Sequence, residues 1–462
     1  MSSRRAGLAL TLLAMAILLL GLTPCPKDYA AAMRQAEAHH SAREYGAAVD
    51  AYQLAAELEP ESPLPWLRAG EVLLLQRRFV PAALAYFRAQ RLGAGQEALL
   101  GLGESYAGEG NWSAAMETWV DALELAPGDA GLYVALGRAS VAQSQFDQAR
   151  RFLTQALESE PSDTEAATAH ALLGRLAAGG DPVQAASHFR QASDEDMLAV
   201  LGAIAAEPDP ARRELLLGMA ALQRSELSLA RHYFERAVAL APTSAEAHAY
   251  LAHTLDQMGE TVAAGELLDQ ARSLDQDSAL VYYFLGTHHR LVGNVEAAQA
   301  ALWQALARDP ENAAMRVEMA KTFVDLHDYS SAEEWYQGAA EAAPDDVNFY
   351  MMLVRFYLDH FYRVSEGGLP AAQALVALAP DDARAHDLLG WAHHLAGQHA
   401  EGERALLQAL RLDPDLTSAH YHLGSLYLTV GQRESARSHL QRVIDLDLHG
   451  FYRDRAELLL AE

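Results

Sequence analysis

Cysteine is nearly absent from this chain: Cys25 is the only one in 462 residues. A single cysteine excludes intramolecular disulfides and the paired-cysteine motifs that bind zinc or carry redox chemistry. Lysine is almost as rare, with only Lys27 and Lys321, and the remaining basic residues are arginine. Lys+Arg 35 against Asp+Glu 62 leaves a formal net charge of −27. That excess argues against a nucleic-acid backbone or an anionic lipid surface as the main partner and favours neutral or basic ones. Scarce lysine together with abundant alanine fits a GC-rich, bacterial genome. Long apolar runs are also missing, with one exception at the N-terminus.

That exception begins with Arg4 and Arg5 and continues as an uncharged stretch from Ala6 to Thr23. It reads as an export signal or membrane anchor spanning residues 1–28, and the arginines orient it with everything after Pro24 outside the cytoplasm. Three readings of Cys25 stay open. "LTPC" resembles a lipoprotein box, with Pro24 standing where a small residue is usual, which makes Cys25 a candidate lipidation site. Alternatively the segment stays uncleaved as a single anchor. In the third reading, ordinary signal cleavage releases a soluble protein. The expected location is membrane-anchored, with the rest of the chain periplasmic or extracellular.

From residue 29 onward one pattern recurs. Pro127 to Pro161, Pro310 to Pro344 and Pro380 to Pro414 are each 34 residues apart, and Pro242 to Pro310 is 68. Between these stops, small residues recur in a first helix (Gly70, Gly137, Gly218, Ala252, Gly286, Ala320, Gly390, Gly424). Alanines recur in a second (Ala82, Ala115, Ala149, Ala230, Ala264, Ala298, Ala332, Ala436), each followed four places later by an aromatic residue or leucine such as Tyr86, Phe234 or Leu302. Small residues let two antiparallel helices close on each other, and proline ends the second helix. Helix-turn-helix units of period 34 resemble the tetratricopeptide repeat family.

The resemblance implies an all-α, helix-turn-helix solenoid, a right-handed superhelix of about twelve repeats, preceded by the N-terminal apolar segment. The expected organisation is an N-terminal array over 29–197, an irregular hinge at 198–210, a C-terminal array over 211–450 and a capping helix at 451–462. A tenth unit carrying "FYRVSEGGLP" in place of a short turn also breaks the rhythm. The family further implies a non-catalytic protein-interaction scaffold whose first helices line a concave groove for a peptide or partner helix. The first-helix positions facing away from the partner helix are Tyr250, His253, Tyr283, Arg290, Lys321, Tyr350, Tyr357, His360, Trp391, His394, Tyr421 and His422. Aromatic and histidine side chains there offer rigid contact area with polar tips. The positions that clamp a C-terminal carboxylate in some relatives hold Met33, Glu37, Leu67 and Glu71, which excludes that mode.

Other chemistry is weaker. Adjacent histidines (His39-His40, His288-His289, His393-His394) point about 100° apart on a helix and do not close on one ion, so no metal is expected. The glycine-rich "GAGQEA" and "GLGESYAGEG" follow no strand and belong to repeat turns. The many carboxylates read as solvated helix faces. No cofactor is expected and no enzymatic activity. Two further readings are a regulatory or substrate-presenting subunit of an envelope export, secretion or glycosyl-transfer machine, and a soluble ligand or metal carrier.

Overall fold

The computed structural model describes residues 28–447 and 450–461, and the N-terminal apolar segment with Cys25 lies outside them. Among the described residues there are 26 α-helices and one π-helical turn, and no helix is long and apolar enough to cross a membrane. Twenty-two of the helices form eleven helix-turn-helix pairs, while Gln96–Gly108 ends the first of two compact units, Trp112–Leu125 opens the second, and Glu195–Ala205 and Arg453–Ala461 stand single. The contacts divide the chain into two compact units, Met1–Glu109 and Gly110–Glu462.

The junction between one pair and the next follows from a short rule. Proline ends a second helix, and two residues later an Asp, Asn or Ser side chain caps the next first helix. Ser244, Asn312, Asp346 and Asp382 each accept a backbone N–H of the helix they precede, and Ser278 caps in the same way at a junction where Gln276 replaces the proline, an interaction worth about 1 kcal/mol. Within a pair, the turn requires a left-handed residue. Gly259, Gly293, Gly397 and Gly431 supply it in four units, while His327 (φ 58°) and Phe361 (φ 50°) adopt it without being glycine.

In the first unit, helices Tyr29–Ser41, Tyr45–Leu58, Leu64–Leu75, Phe79–Arg91 and Gln96–Gly108 enclose a core of alanines around Tyr52 and Tyr86. In the second unit, Leu302 is fully buried, and a Cβ on Gly286 would lie 2.5 Å from its Cγ. The glycine and the leucine fit only as a pair, as the repeat pattern requires.

Two places in the second unit depart from regular stacking. After the pairs Ala130–Ala142/Phe146–Glu158 and Asp163–Ala177/Pro182–Ala192, the single helix Glu195–Ala205 precedes the pair Pro210–Gln223/Leu227–Leu240. The last of these helices reaches back across the intervening pair: the Ser228 hydroxyl donates to the Ala142 carbonyl at 2.8 Å, and the Tyr233 hydroxyl donates to the Arg175 carbonyl. A regular solenoid unit touches only its neighbours, so this segment folds back on itself.

The second departure is the tenth unit. Between Val347–Asp359 and Leu369–Leu378 the chain passes through left-handed Phe361 and Arg363 into the π-helical turn Val364–Gly368. Glu333, on Tyr329–Ala342, holds this connection. It accepts from the Tyr357 hydroxyl at 2.7 Å and from Arg363 Nη1 at 2.8 Å. A Cβ on Gly367 would fall 2.5 Å from the Tyr357 ring, so glycine leaves the space that the tyrosine fills.

Candidate functional site: the first-helix face of the second unit

First helices Ala245–Gln257, Ala279–Leu291 and Ala313–Asp325 bring together Tyr250, His253, Tyr283, Arg290 and Lys321. Phe284 is the hub. Tyr250 meets it edge-on at 5.2 Å, His253 stacks on it at 4.6 Å, and Tyr283 lies 5.3 Å away. The buried carboxylate of Glu318 collects the two cations, accepting from Lys321 Nζ at 2.6 Å and Arg290 Nε at 3.3 Å. Arg290 also lies 3.6 Å from Asp325. The cations are thereby neutralised, and the rings are fixed above a polar floor. Burial, reinforced by Glu318, pushes the Tyr283 hydroxyl up to about 12. Burial lowers the His253 pKa, against the opposing pull of Asp256 and Glu318. Both groups are therefore neutral near pH 7.

A second cluster forms on Ala383–Leu395 and Thr417–Thr429, with Tyr452, just before the final helix, against it. Trp391 is stacked between His422 at 4.4 Å and His394 at 5.0 Å. Asp387, 3% exposed, anchors the arrangement through a 2.7 Å contact with His422 Nδ1. Tyr421 packs 5.1 Å from Tyr452, extending the cluster of rings towards the C-terminus. Burial lowers the His394 pKa to about 4, with His399 and His422 adding to the effect.

Between the clusters the expected groove residues separate. Tyr350 is half-buried between two hydrophobic clusters. Tyr357 is 1% exposed and serves the tenth-unit connection, so it is corrected from a groove position to a packing one. The reason is local: the π-helical turn with Gly367 opens a pocket that the ring fills. His360 stacks on Tyr329 at 5.0 Å, at the end of the neighbouring second helix, and joins neither cluster.

Sequence reasoning missed the floor of the site. Asp256, which contacts His288 Nδ1 at 2.9 Å, and Glu318 and Asp387 are buried, as is Glu333 at the tenth-unit connection, which corrects the reading of the carboxylates as solvated helix faces for these four. For Asp256 and Asp387 the available signal was an acid on the apolar face of a first helix with a histidine beside it or one turn away, whereas Glu318 has no such neighbour on its helix and Glu333 lies on the second helix Tyr329–Ala342. Among the described residues no group of three or more His, Cys, Asp or Glu side chains is placed to hold a metal ion.

Comparison with known proteins agrees with the geometry. A family model described as tetratricopeptide repeat matches residues 106–173, 221–286 and 291–355, and two others of the same description match 365–417 and 417–449. The chain belongs to the tetratricopeptide repeat family. Superkiller protein 3 of Schizosaccharomyces pombe is 28% identical over 126 residues, so the chain spans 9% of that protein's length and the match 27% of this one. Among solved structures, yeast Tom70 is similar at 16% identity, covering 94% of this chain and 96% of that one with a TM-score of 0.42. MamA from Desulfovibrio magneticus RS-1 is similar at 25% identity, covering 37% of this chain and 94% of that one with a TM-score of 0.32. This tetratricopeptide repeat chain is a protein-interaction scaffold.

Proposed function

We propose that the first-helix face of the second unit binds a neutral or basic peptide or helix of a partner protein, and that the N-terminal segment holds the scaffold at a bacterial membrane, outside the cytoplasm. The observation that supports the binding site is the pair of ring clusters, each seated on a buried carboxylate. Rings fixed in place lose little entropy on contact, and aromatic anchors carry much of the energy of protein interfaces. Arg290 and Lys321 are tied to Glu318, so neither is left to attract an acidic partner.

Photo-crosslinking from positions 283 and 391 in the producing cells tests the site. Capture of one discrete partner, lost in the Trp391→Ala/Tyr421→Ala variant while helicity is kept, is the expected result. Full retention of the partner by that variant places the contact elsewhere. The membrane proposal rests on the apolar segment following Arg4 and Arg5, and intact mass of the extracted native protein tests it. Lipid on Cys25, or an uncleaved N-terminus, supports attachment; a mass corresponding to cleavage without lipid removes it.

A further inference from the structure

The fold-back around residues 130–240 produces a feature that no single repeat contains. Helix Phe146–Glu158 and helix Leu227–Leu240 belong to units that are not sequence neighbours, yet the Phe146 and His232 rings lie 4.4 Å apart. A cavity of about 620 Å³ opens beside that ring pair, lined also by Arg150, Arg151 and Arg236. A second cavity of about 230 Å³ shares Arg150 and Arg236, and a third of about 660 Å³ shares Arg150 and Arg151. Three guanidinium groups thus border neighbouring open clefts with shared lining residues in a chain whose formal net charge is −27.

Local acids pair with two of them, Asp147 at the rim of the same cavity with Arg150 and Glu214 with Arg236, and leave Arg151 as the guanidinium without an ion pair among the described residues. Asp147 pairs with Arg150 at 2.7 Å from a side chain 91% exposed to water. Asp181 accepts the N–H groups of Val183 and Gln184. Glu214, buried beneath the cleft, holds Arg236 at 2.7 Å, and Glu235 is exposed and pairs with Arg231 at 2.7 Å. Arg151 is exposed and makes no ion pair among the described residues, and Arg150 also reaches the Leu176 carbonyl at 3.2 Å, which fixes its direction. The field is felt locally: after burial itself, Arg236 lowers the His232 pKa, Glu235 opposes it, and Arg150 adds to the lowering.

We propose that this cleft binds a small phosphate-bearing molecule, with Arg150, Arg151 and Arg236 on the phosphate oxygens and the Phe146–His232 rings against the organic portion. Cavities of this size accommodate small molecules. Guanidinium forks match phosphate geometry, and several around one cavity suit an ion with more than one negative charge. The site lies on second helices, apart from the first-helix face assigned to the partner protein, so the two proposals stand or fall separately.

Isothermal titration of the full chain with pyrophosphate, ADP and adenosine tests it. The expected result is saturable one-to-one binding of pyrophosphate and ADP, none of adenosine, and weakening with salt. Arg151→Gln should lower affinity by about tenfold, the loss of one charge-assisted contact, with Arg151→Lys recovering part of it. Because Arg151 is exposed and has no ion pair among the described residues, its replacement leaves the melting transition in place and separates lost binding from lost folding. Absence of saturable pyrophosphate binding overturns the proposal, as does affinity unchanged by Arg151→Gln. Binding of a glutamate-rich peptide without binding of pyrophosphate also overturns it, and assigns the cleft to acidic protein segments.

Discussion

At position 402 the repeat pattern and the geometry give opposite advice. Other units carry alanine at this place, Ala264, Ala298, Ala332 and Ala436 among them, and alanine is favoured over glycine inside a helix by about 1 kcal/mol. A pattern-based substitution of Gly402→Ala would therefore be expected to stabilise. In the structure the added Cβ would meet the Gly390 carbonyl oxygen at 2.9 Å and the His394 nitrogen at 3.2 Å, both backbone atoms with no rotamer to yield. Helices Ala383–Leu395 and His399–Leu412 cross there through two glycines instead of a glycine and an alanine. Gly402→Ala should cost about 1–3 kcal/mol in urea unfolding, the usual range for overpacking. A gain in stability would show that this crossing opens at little cost. The general rule, small residue against large, was legible from the recurrence of glycine, alanine and leucine. The exception was not, because one glycine in place of alanine looks like ordinary variation.

Among the elements, the tenth unit shows how an irregular stretch is kept in one shape. Its broken rhythm was visible in the sequence, where "FYRVSEGGLP" stands in place of a short turn. The residue that holds it was not visible, because Glu333 lies about thirty positions earlier on a second helix, where a glutamate reads as solvated. Its carboxylate accepts from Tyr357 and Arg363, and two left-handed residues, Phe361 and Arg363, depend on that anchorage. Glu333→Ala should destabilise the chain by about 2 kcal/mol, the cost of leaving buried hydrogen-bonding groups unpaired. Amide exchange should rise first over residues 361–368. Unchanged protection there would mean that Gly367 and Tyr357 packing alone fixes the connection. Phe361 gives a second test of the same element, since it is 71% exposed and holds a conformation that costs a non-glycine residue about 1–2 kcal/mol. Phe361→Gly should raise the urea midpoint slightly; a fall would show that the exposed ring packs better than its surface area suggests.

For the whole molecule, the period of 34 made the pairs legible from end to end, while the fold-back near residues 130–240 was not, since contacts between non-neighbouring units leave no periodic trace. The histidines of the second unit give that part of the chain a collective acid response. His394 and His439 are lowered to about 4, in both cases chiefly by burial, and His170, His188, His232, His253, His289 and His420 are lowered by burial as well. Unfolding restores the ordinary value of about 6.5. Between that value and the folded one, the unfolded chain binds protons that the folded chain refuses, so stability falls as pH drops through this window and the loss is complete below the folded value. Glu214, raised by burial, acts in the opposite direction, because its proton is held more tightly when folded. One carboxyl does not offset eight imidazoles. With allowance for partial exposure, His394 and His439 each contribute on the order of 1–2 kcal/mol. Urea unfolding between pH 7 and 5, above the range where most carboxylates titrate, should show stability decreasing steadily with acid. The slope should be shallower in a His394→Gln/His439→Gln variant. A flat profile, or one unaffected by the double substitution, would mean that these rings take up protons in the folded chain as readily as in water, which would require the helix pairs around them to open to solvent without unfolding.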